Sequence, residues 1–393
     1  MFKNICFKNF WKLYITEFLI SIYLGKSIWM IFYRAKGLSI SEIGLTLSII
    51  YLFSVLFEYP SGIFADRFGR KKSIQISIIL VALSVLNYGI GTNLPWLLVA
   101  AALEGVGIAF YSGADVALIY DNLKKQKQQK KNKYVIGFVD SVSYTGMLLG
   151  SLIGPFLFKT NNLLPFIISP ILYLLGFFIF SSFKESKKHY YPKEIFSLKK
   201  TFKEGFKLNF SNKSILTLLV LSGILLFFYQ SWFAVFQIKL FDLGLSETGL
   251  GIYVAFHSII GLLQGLLIPH IIHKMKSTTF IFIIILTHAV GLIFLSNKSL
   301  WVVFPLSYLI LNSRNLLYYS ENDVIHDHIP SKIRATVISA RSLIISLLLA
   351  IATIIMTKLV EIFSINIYVF FGIISFILCN FVLIFNRKHL DQN

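Results

Sequence analysis

Twelve apolar stretches recur along this 393-residue chain, and they limit what it can fold into more than any other feature. They cover residues 10–34, 41–64, 73–91, 94–121, 135–158, 163–183, 215–238, 248–268, 279–295, 300–319, 336–359 and 367–385. A helix of about 20 apolar residues reaches across a hydrocarbon core of about 30 Å. Short turns at 91–95 and 296–299 separate the third stretch from the fourth and the ninth from the tenth. The pattern predicts an all-α polytopic membrane protein.

Composition agrees. The chain is 56% hydrophobic and 14% charged, with a mean hydropathy of +0.74, whereas a soluble domain carries about a quarter charged residues. The 16% aromatic content, with 38 Phe, suits a surface that meets lipid tails. A formal charge of +19 raises the question of nucleic acid, but the placement of the cations answers it. Of the 37 Lys and Arg, 28 fall in alternate segments between stretches and only six in the opposite loops. That bias encodes topology and predicts that both termini are cytoplasmic. The run at 124–133 is then an inside loop, and no nucleic-acid partner is expected. Cys6 and Cys379 lie far apart and are expected to act as small apolar residues, with no disulfide or metal site. The first stretch is too long for a secretory signal and has no small-residue cleavage site.

The longest polar segment lies between the sixth and seventh stretches. It suggests residues 1–183 as an N-terminal six-helix bundle, 184–213 as a cytoplasmic linker, and 214–393 as a C-terminal six-helix bundle. Within the linker, residues 195–208 carry apolar positions at helical spacing with lysines between them. They predict an amphipathic helix lying on an anionic leaflet.

Between the second and third stretches stands Gly62-Ile-Phe-Ala-Asp66-Arg67-Phe-Gly69-Arg70-Lys71. Gly62 and Gly69 are expected to permit close backbone approach and a tight turn. Asp66 is an anion at the membrane boundary, and Arg70 can pair with a carboxylate such as Asp121 at the end of the fourth stretch. The run resembles, without a gap, the loop signature G-x-x-x-D-R-x-G-R-K of the major facilitator superfamily, most like its bacterial drug/proton antiporter-type exporters. The resemblance implies twelve transmembrane helices in two six-helix bundles. It also implies a conformational latch, with Asp66 facing the positive end of span eleven near residues 334–336 and Arg70 facing Asp121. Asp66→Asn should then slow transport and spare substrate binding. The second half keeps only a remnant at the matching place, residues 265–276.

Ionisable residues inside spans are costly and usually face a cavity. Glu17, Glu104, Asp115, Asp140, Arg314 and Arg341 are the candidates for proton coupling or cavity lining, with Lys26 as a further cation. At 3.6 residues per turn, Glu104 and Asp115 are expected on one stripe of span four with Gly107 and Tyr111. Gln230 and Gln237 should share a face of span seven, and His257 and Gln264 a face of span eight. Tyr111, Gln230, Gln237 and His257 are the substrate-cavity candidates. A carboxylate that alternates between a buried setting and a cation-neighboured one can exchange protons as the protein rocks. Tyr229, Trp232, Phe233 and Phe236 are candidates to line an adaptable pocket.

Span five contains Gly146-Met-Leu-Leu-Gly150-Ser-Leu-Ile-Gly154-Pro155. Gly150, Gly154 and Pro155 resemble the G-x-x-x-G-P core of the family's antiporter motif, which implies close helix packing and favours export. The arginine common in span four of the family's drug exporters is Ala101 here. The expected function is therefore proton-coupled export of small amphiphilic or toxic compounds, driven by the proton motive force and without a bound cofactor. Uptake of a nutrient such as a sugar or peptide is the alternative. A non-transporting membrane sensor or assembly partner is disfavoured by the intact loop motif. Nothing in the sequence suggests an enzyme. The expected partners are a small-molecule substrate, protons and the lipid bilayer of a bacterial inner membrane, with the chain acting as a monomer.

Overall fold

A computed structural model describes residues 6–128, 131–185, 207–272, 275–328, 331–363 and 366–390, with helices and no strand among them. The first half runs through α1 (Cys6–Ser21), α2 (Trp29–Ala35), α3 (Ile40–Phe68), α4 (Arg70–Ile90), α5 (Leu94–Tyr111), α6 (Ala114–Lys125), α7 (Asn132–Thr160) and α8 (Leu164–Ser181). The second half runs through α9 (Lys213–Phe233), α10 (Phe236–Asp242), α11 (Glu247–Ile272), α12 (Ser277–Phe294), α13 (Leu300–His328), α14 (Ser331–Phe363) and α15 (Ile367–Leu390). The expected amphipathic helix falls largely on residues 186–206, outside the described ones.

Ten helical segments among the described residues are long and apolar enough to cross a membrane. The first span, broken into α1 and α2, and the eighth, α11, complete twelve. Exposed side chains such as Phe178, Trp301, Ile384 and Phe385 form the apolar outer surface that lipid requires.

The chain divides into two compact units. Unit 1 comprises Met1–Leu38, Ile49–Pro192 and Ser246–Ile259; unit 2 comprises Ser39–Ser48, Lys193–Leu245 and Ile260–Asn393. In unit 1, α4 packs on α5 and α8, and α1 packs on α7 and α8. In unit 2, α12 packs on α13 and α15, and α9 packs on α14 and α15. The two patterns are the same when α1, α4, α5, α7 and α8 are matched with α9, α12, α13, α14 and α15. The broken first span of each unit repeats as well. The short helices α2 and α10, of 7 residues each, are both followed by a glycine at positive φ, Gly37 at 89° and Gly244 at 96°. Internal repeats of this kind are a common architecture of secondary transporters.

Three expected spans differ from continuous helices. Span one opens between Ser21 and Trp29, where the chain crosses the glycine face of α7. A Cβ on Gly146 would stand 2.7 Å from the Phe18 carbonyl, one on Gly150 3.1 Å from the Tyr23 nitrogen, and one on Gly154 would overlap the Leu24 carbonyl. Some of the freed backbone is satisfied locally, since the Leu24 N–H donates to Ser169 Oγ at 3.0 Å. Span four breaks at Ser112–Gly113, where Gly113 takes φ 73°. Span seven breaks at Ala234–Val235. Span ten, expected to stop at 319, continues as α13 through His328.

Outside the spans, Lys36 closes the far end of α4, its Nζ donating to the carbonyls of Gly89 at 2.8 Å and Gly91 at 2.6 Å. Its ammonium lies 4.2 Å from the Phe32 ring centroid, and partial burial lowers its pKa. In unit 2, Leu218, Leu221, Ile284 and Cys379 are fully buried in one apolar core.

Candidate functional site

The break in span four creates the first site. Tyr111 is the last residue of α5, and Asp115 lies in the first turn of α6. The stripe expected to carry both Glu104 and Asp115 is therefore interrupted, because a left-handed glycine between them resets the helical phase. Gly107, placed on that stripe, instead faces Val81 and Ser77 of α4. Tyr111 faces α1, where its hydroxyl donates to the carboxylate of Glu17. Glu17 is 4% exposed; Ser143 of α7 is a polar neighbour, and Asp115 and Asp140 are the charged neighbours that act on it. Three carboxylates from α1, α6 and α7 thus share one electrostatic neighbourhood.

Glu104 belongs to a separate cluster in the middle of span four. Its charge acts on the hydroxyls of Tyr23, Tyr33, Tyr88 and Tyr173. Lys26 is the cation that acts on it, and the same lysine acts on His257. His257 lies in the part of α11 that belongs to unit 1, and its Nδ1 is buried without a hydrogen-bond partner.

In unit 2, Arg341 of α14 is 4% exposed. Its Nη2 donates to Ser222 Oγ at 3.0 Å and to the carboxylate of Glu321, and Ser222 Oγ donates to that carboxylate in turn. Its Nε and Nη1 have no partner. Hydropathy misses Glu321 because the apolar stretch ends two residues before it. The length of α13 carries it inside. Arg314, also on α13, is exposed.

Gln230 and Gln237 are fully buried, but the break at Ala234–Val235 puts them on separate helices, so no common helical face joins them. Neither side-chain atom of Gln230 has a hydrogen-bond partner. Trp232 is fully buried against Tyr368, and Tyr229 stacks on Phe233 with ring centroids 5.3 Å apart. Tyr229 and Trp232 are therefore buried packing residues of unit 2. On α11, Gln264 accepts from Asn315 at 3.2 Å.

The Gly62–Lys71 run forms the end of α3 and the start of α4. Gly69 turns the chain at φ 104°, a conformation that disfavours any side chain. Gly62, expected to allow close approach, is an exposed helical position with nothing within 4 Å of where a Cβ would be. The helix simply continues past it to Phe68. Arg70 Nε lies 3.1 Å from Asp121 and its Nη2 3.5 Å from Asp66. Arg67 is exposed beside the Phe68 ring, and Lys71 Nζ donates to the Ser181 carbonyl at 2.6 Å. Glu185 adds what the sequence did not disclose: its Oε1 accepts from the backbone N–H groups of Arg70 at 2.8 Å and Lys71 at 3.3 Å. A carboxylate at a helix start is favourable for the dipole and for the unpaired N–H groups. The side chains at the start of span eleven, residues 334–336, lie outside those described.

The sequence profile of the Major Facilitator Superfamily matches residues 13–342. The chain belongs to this superfamily. Superfamily relatives include the "Uncharacterized MFS-type transporter YxaM" of Bacillus subtilis (strain 168), 25% identical over 231 residues that cover 57% of this chain and 56% of the relative. "Multidrug resistance protein 1" of the same organism is 25% identical over 284 residues, 68% of this chain and 70% of the relative. "Quinolone resistance protein NorA" of Staphylococcus aureus is 27% identical over 172 residues, 43% of each. The chain thus spans little more than half the length of the first of these relatives. Among solved structures, the nucleoside transporter NupG (D323A mutant) has a TM-score of 0.78 at 14% identity, covering 96% of this chain and 99% of that one. A D-xylose-proton symporter has a TM-score of 0.68 at 15% identity, covering 95% and 97%. At such identities the likeness is one of fold.

Proposed function

We propose that this superfamily transporter exports small amphiphilic or toxic compounds across a bacterial cytoplasmic membrane in exchange for protons, working by alternating access with both termini inside. The single observation that carries the coupling is the Glu17 cluster: a buried carboxyl that accepts from the Tyr111 hydroxyl, with Ser143, Asp115 and Asp140 as its polar and charged neighbours. A buried carboxyl beside other acids changes its proton occupancy as its surroundings change. Two of these relatives are drug-resistance proteins, which supports export, and the packing of Gly150 and Gly154 on the broken first span agrees with it. Asp66, Arg70 and Asp121 act as the latch that closes and opens the inner side. Glu104, with Lys26 and His257, is the second candidate position for substrate or proton. The chain needs no resident cofactor, because the proton gradient supplies the energy.

The test uses inverted vesicles loaded with a pH-sensitive dye under an imposed proton gradient, with a panel of cationic and neutral amphiphiles. Compound-dependent proton release from the vesicle interior, with accumulation of the compound, is the expected result. Movement of proton and compound in the same direction would make the chain a symporter and overturn the proposal.

A further inference from the structure

Unit 1 contains a cavity of about 650 Å3 at the end that carries Gly69 and Lys125. Its wall includes Trp11 and Lys12 of α1, Asn122 and Lys125 of α6, Gln128 beyond α6, and Lys184 and Glu185 beyond α8. The wall thus carries three lysines against one carboxylate, and that carboxylate is already committed to the N–H groups of Arg70 and Lys71. Lys12 is positioned, with its Nζ donating to the Ser182 carbonyl at 2.8 Å and lying 5.5 Å from the Trp11 ring centroid. Gln128 is fixed by its own N–H, which donates to the Leu123 carbonyl at 2.8 Å. Its side-chain Oε1 is buried without a partner. A buried acceptor left unpaired costs free energy that a ligand's donor would recover.

A ligand that fits must bring negative charge for the lysines and a donor for Gln128. We propose that this cavity binds the phosphodiester headgroup of an anionic membrane lipid whose headgroup carries a hydroxyl, as a glycerol headgroup does. The phosphodiester oxygens meet Lys12, Lys125 and Lys184, and the hydroxyl donates to Gln128 Oε1. Trp11, 44% exposed, lies at the wall as aromatic residues do at a membrane interface. Basic pockets between transmembrane helices suit such headgroups. Lys184 and Glu185 are consecutive, so a headgroup held by Lys184 steadies the strap that Glu185 lays on the start of α4. The site therefore borders the Gly69 turn without using Asp66, Arg70 or Asp121.

The experiment titrates the delipidated full chain in neutral detergent with phosphatidylglycerol and with phosphatidylcholine, counting bound lipid by native mass spectrometry. The wild type is expected to prefer phosphatidylglycerol by about tenfold or more. The triple variant Lys12→Gln, Lys125→Gln, Lys184→Gln should lose that preference. A control with the same charge removed from unit 2, Lys207→Gln, Lys213→Gln, Lys276→Gln, should keep it. Equal loss in the control would mean diffuse surface charge and overturn the site. So would equal binding of the two lipids by the wild type, a result that does not depend on how the variants fold. Soluble glycerophosphoglycerol is the last arm. Retention of the lipid against an equal concentration is expected, whereas displacement would assign the cavity to a free phosphate ester and overturn the lipid.

Discussion

Arg341 of α14 and Glu321 of α13 form an ion pair buried in unit 2, and Ser222 of α9 bonds to both. On the matching helices of unit 1 stand Asp140 of α7, Asp115 and Tyr111 around the break in span four, and Glu17 of α1. The two units share a packing pattern and place polar groups between the same three spans. Their charges differ: unit 2 compensates its carboxylate with a guanidinium, whereas unit 1 gathers three acids. The fixed pair suits a structural role, and the acid cluster suits proton exchange.

Removing one partner of a buried pair strands the other charge, which costs about 3–5 kcal/mol, while replacing both by apolar groups is often neutral. Glu321→Gln is therefore expected to lower the thermal unfolding midpoint of the purified protein by several degrees. The double variant Glu321→Leu, Arg341→Met should recover most of that loss. Single and double variants equally unstable would contradict the pairing.

Asp66 is half exposed at 3.5 Å from Arg70, whereas Asp121 is mostly buried at 3.1 Å. An exposed pair contributes about 0–1 kcal/mol, whereas removing one partner of a more buried pair strands a charge and costs more. Asp66→Asn should leave stability and substrate affinity nearly unchanged and slow transport several-fold. Asp121→Asn should also reduce thermal stability. Paired measurements of substrate binding and initial transport rate check the first claim, which fails if transport is unchanged.

The glycines of α7 give a graded series. A Cβ at Gly150 meets the Tyr23 backbone at 3.1–3.3 Å, a contact that a small shift relieves, but one at Gly154 overlaps the Leu24 carbonyl. Overpacking costs about 1–3 kcal/mol or more. Gly154→Ala is expected to destabilise the purified protein clearly more than Gly150→Ala in a thermal shift measurement. The reverse order would mean that span one does not cross α7 where the structure puts it.

The spans were legible because about 20 apolar residues in lipid have few alternatives to a helix. Gly69 was legible because a positive φ selects glycine, and the Arg70–Asp121 pair because an arginine and a carboxylate sat at neighbouring span ends. The breaks were not. Hydropathy is insensitive to one residue such as Gly113 turning left-handed within an apolar run, so spacing alone predicts for Glu104 and Asp115 a shared stripe that the chain interrupts. Hydropathy is equally blind to the break at Ala234–Val235, where φ stays negative, that separates Gln230 from Gln237. Glu321 was hidden because a polar end shortened the apparent span, although α13 continues through it. Glu185 sat in a loop, where no periodicity reports on a helix start 115 residues earlier.

The central claim is that proton movement passes through Glu17. Glu17→Gln keeps the shape and leaves an oxygen to accept from the Tyr111 hydroxyl, so the protein should fold and bind normally. The decisive measurement compares two activities of this variant in proteoliposomes: exchange of labelled for unlabelled substrate without a gradient, and accumulation driven by an imposed proton gradient. The account predicts exchange within about twofold of wild type and gradient-driven accumulation reduced at least about a hundredfold, the range typical of losing an essential acid–base group. Wild-type accumulation by Glu17→Gln would contradict it.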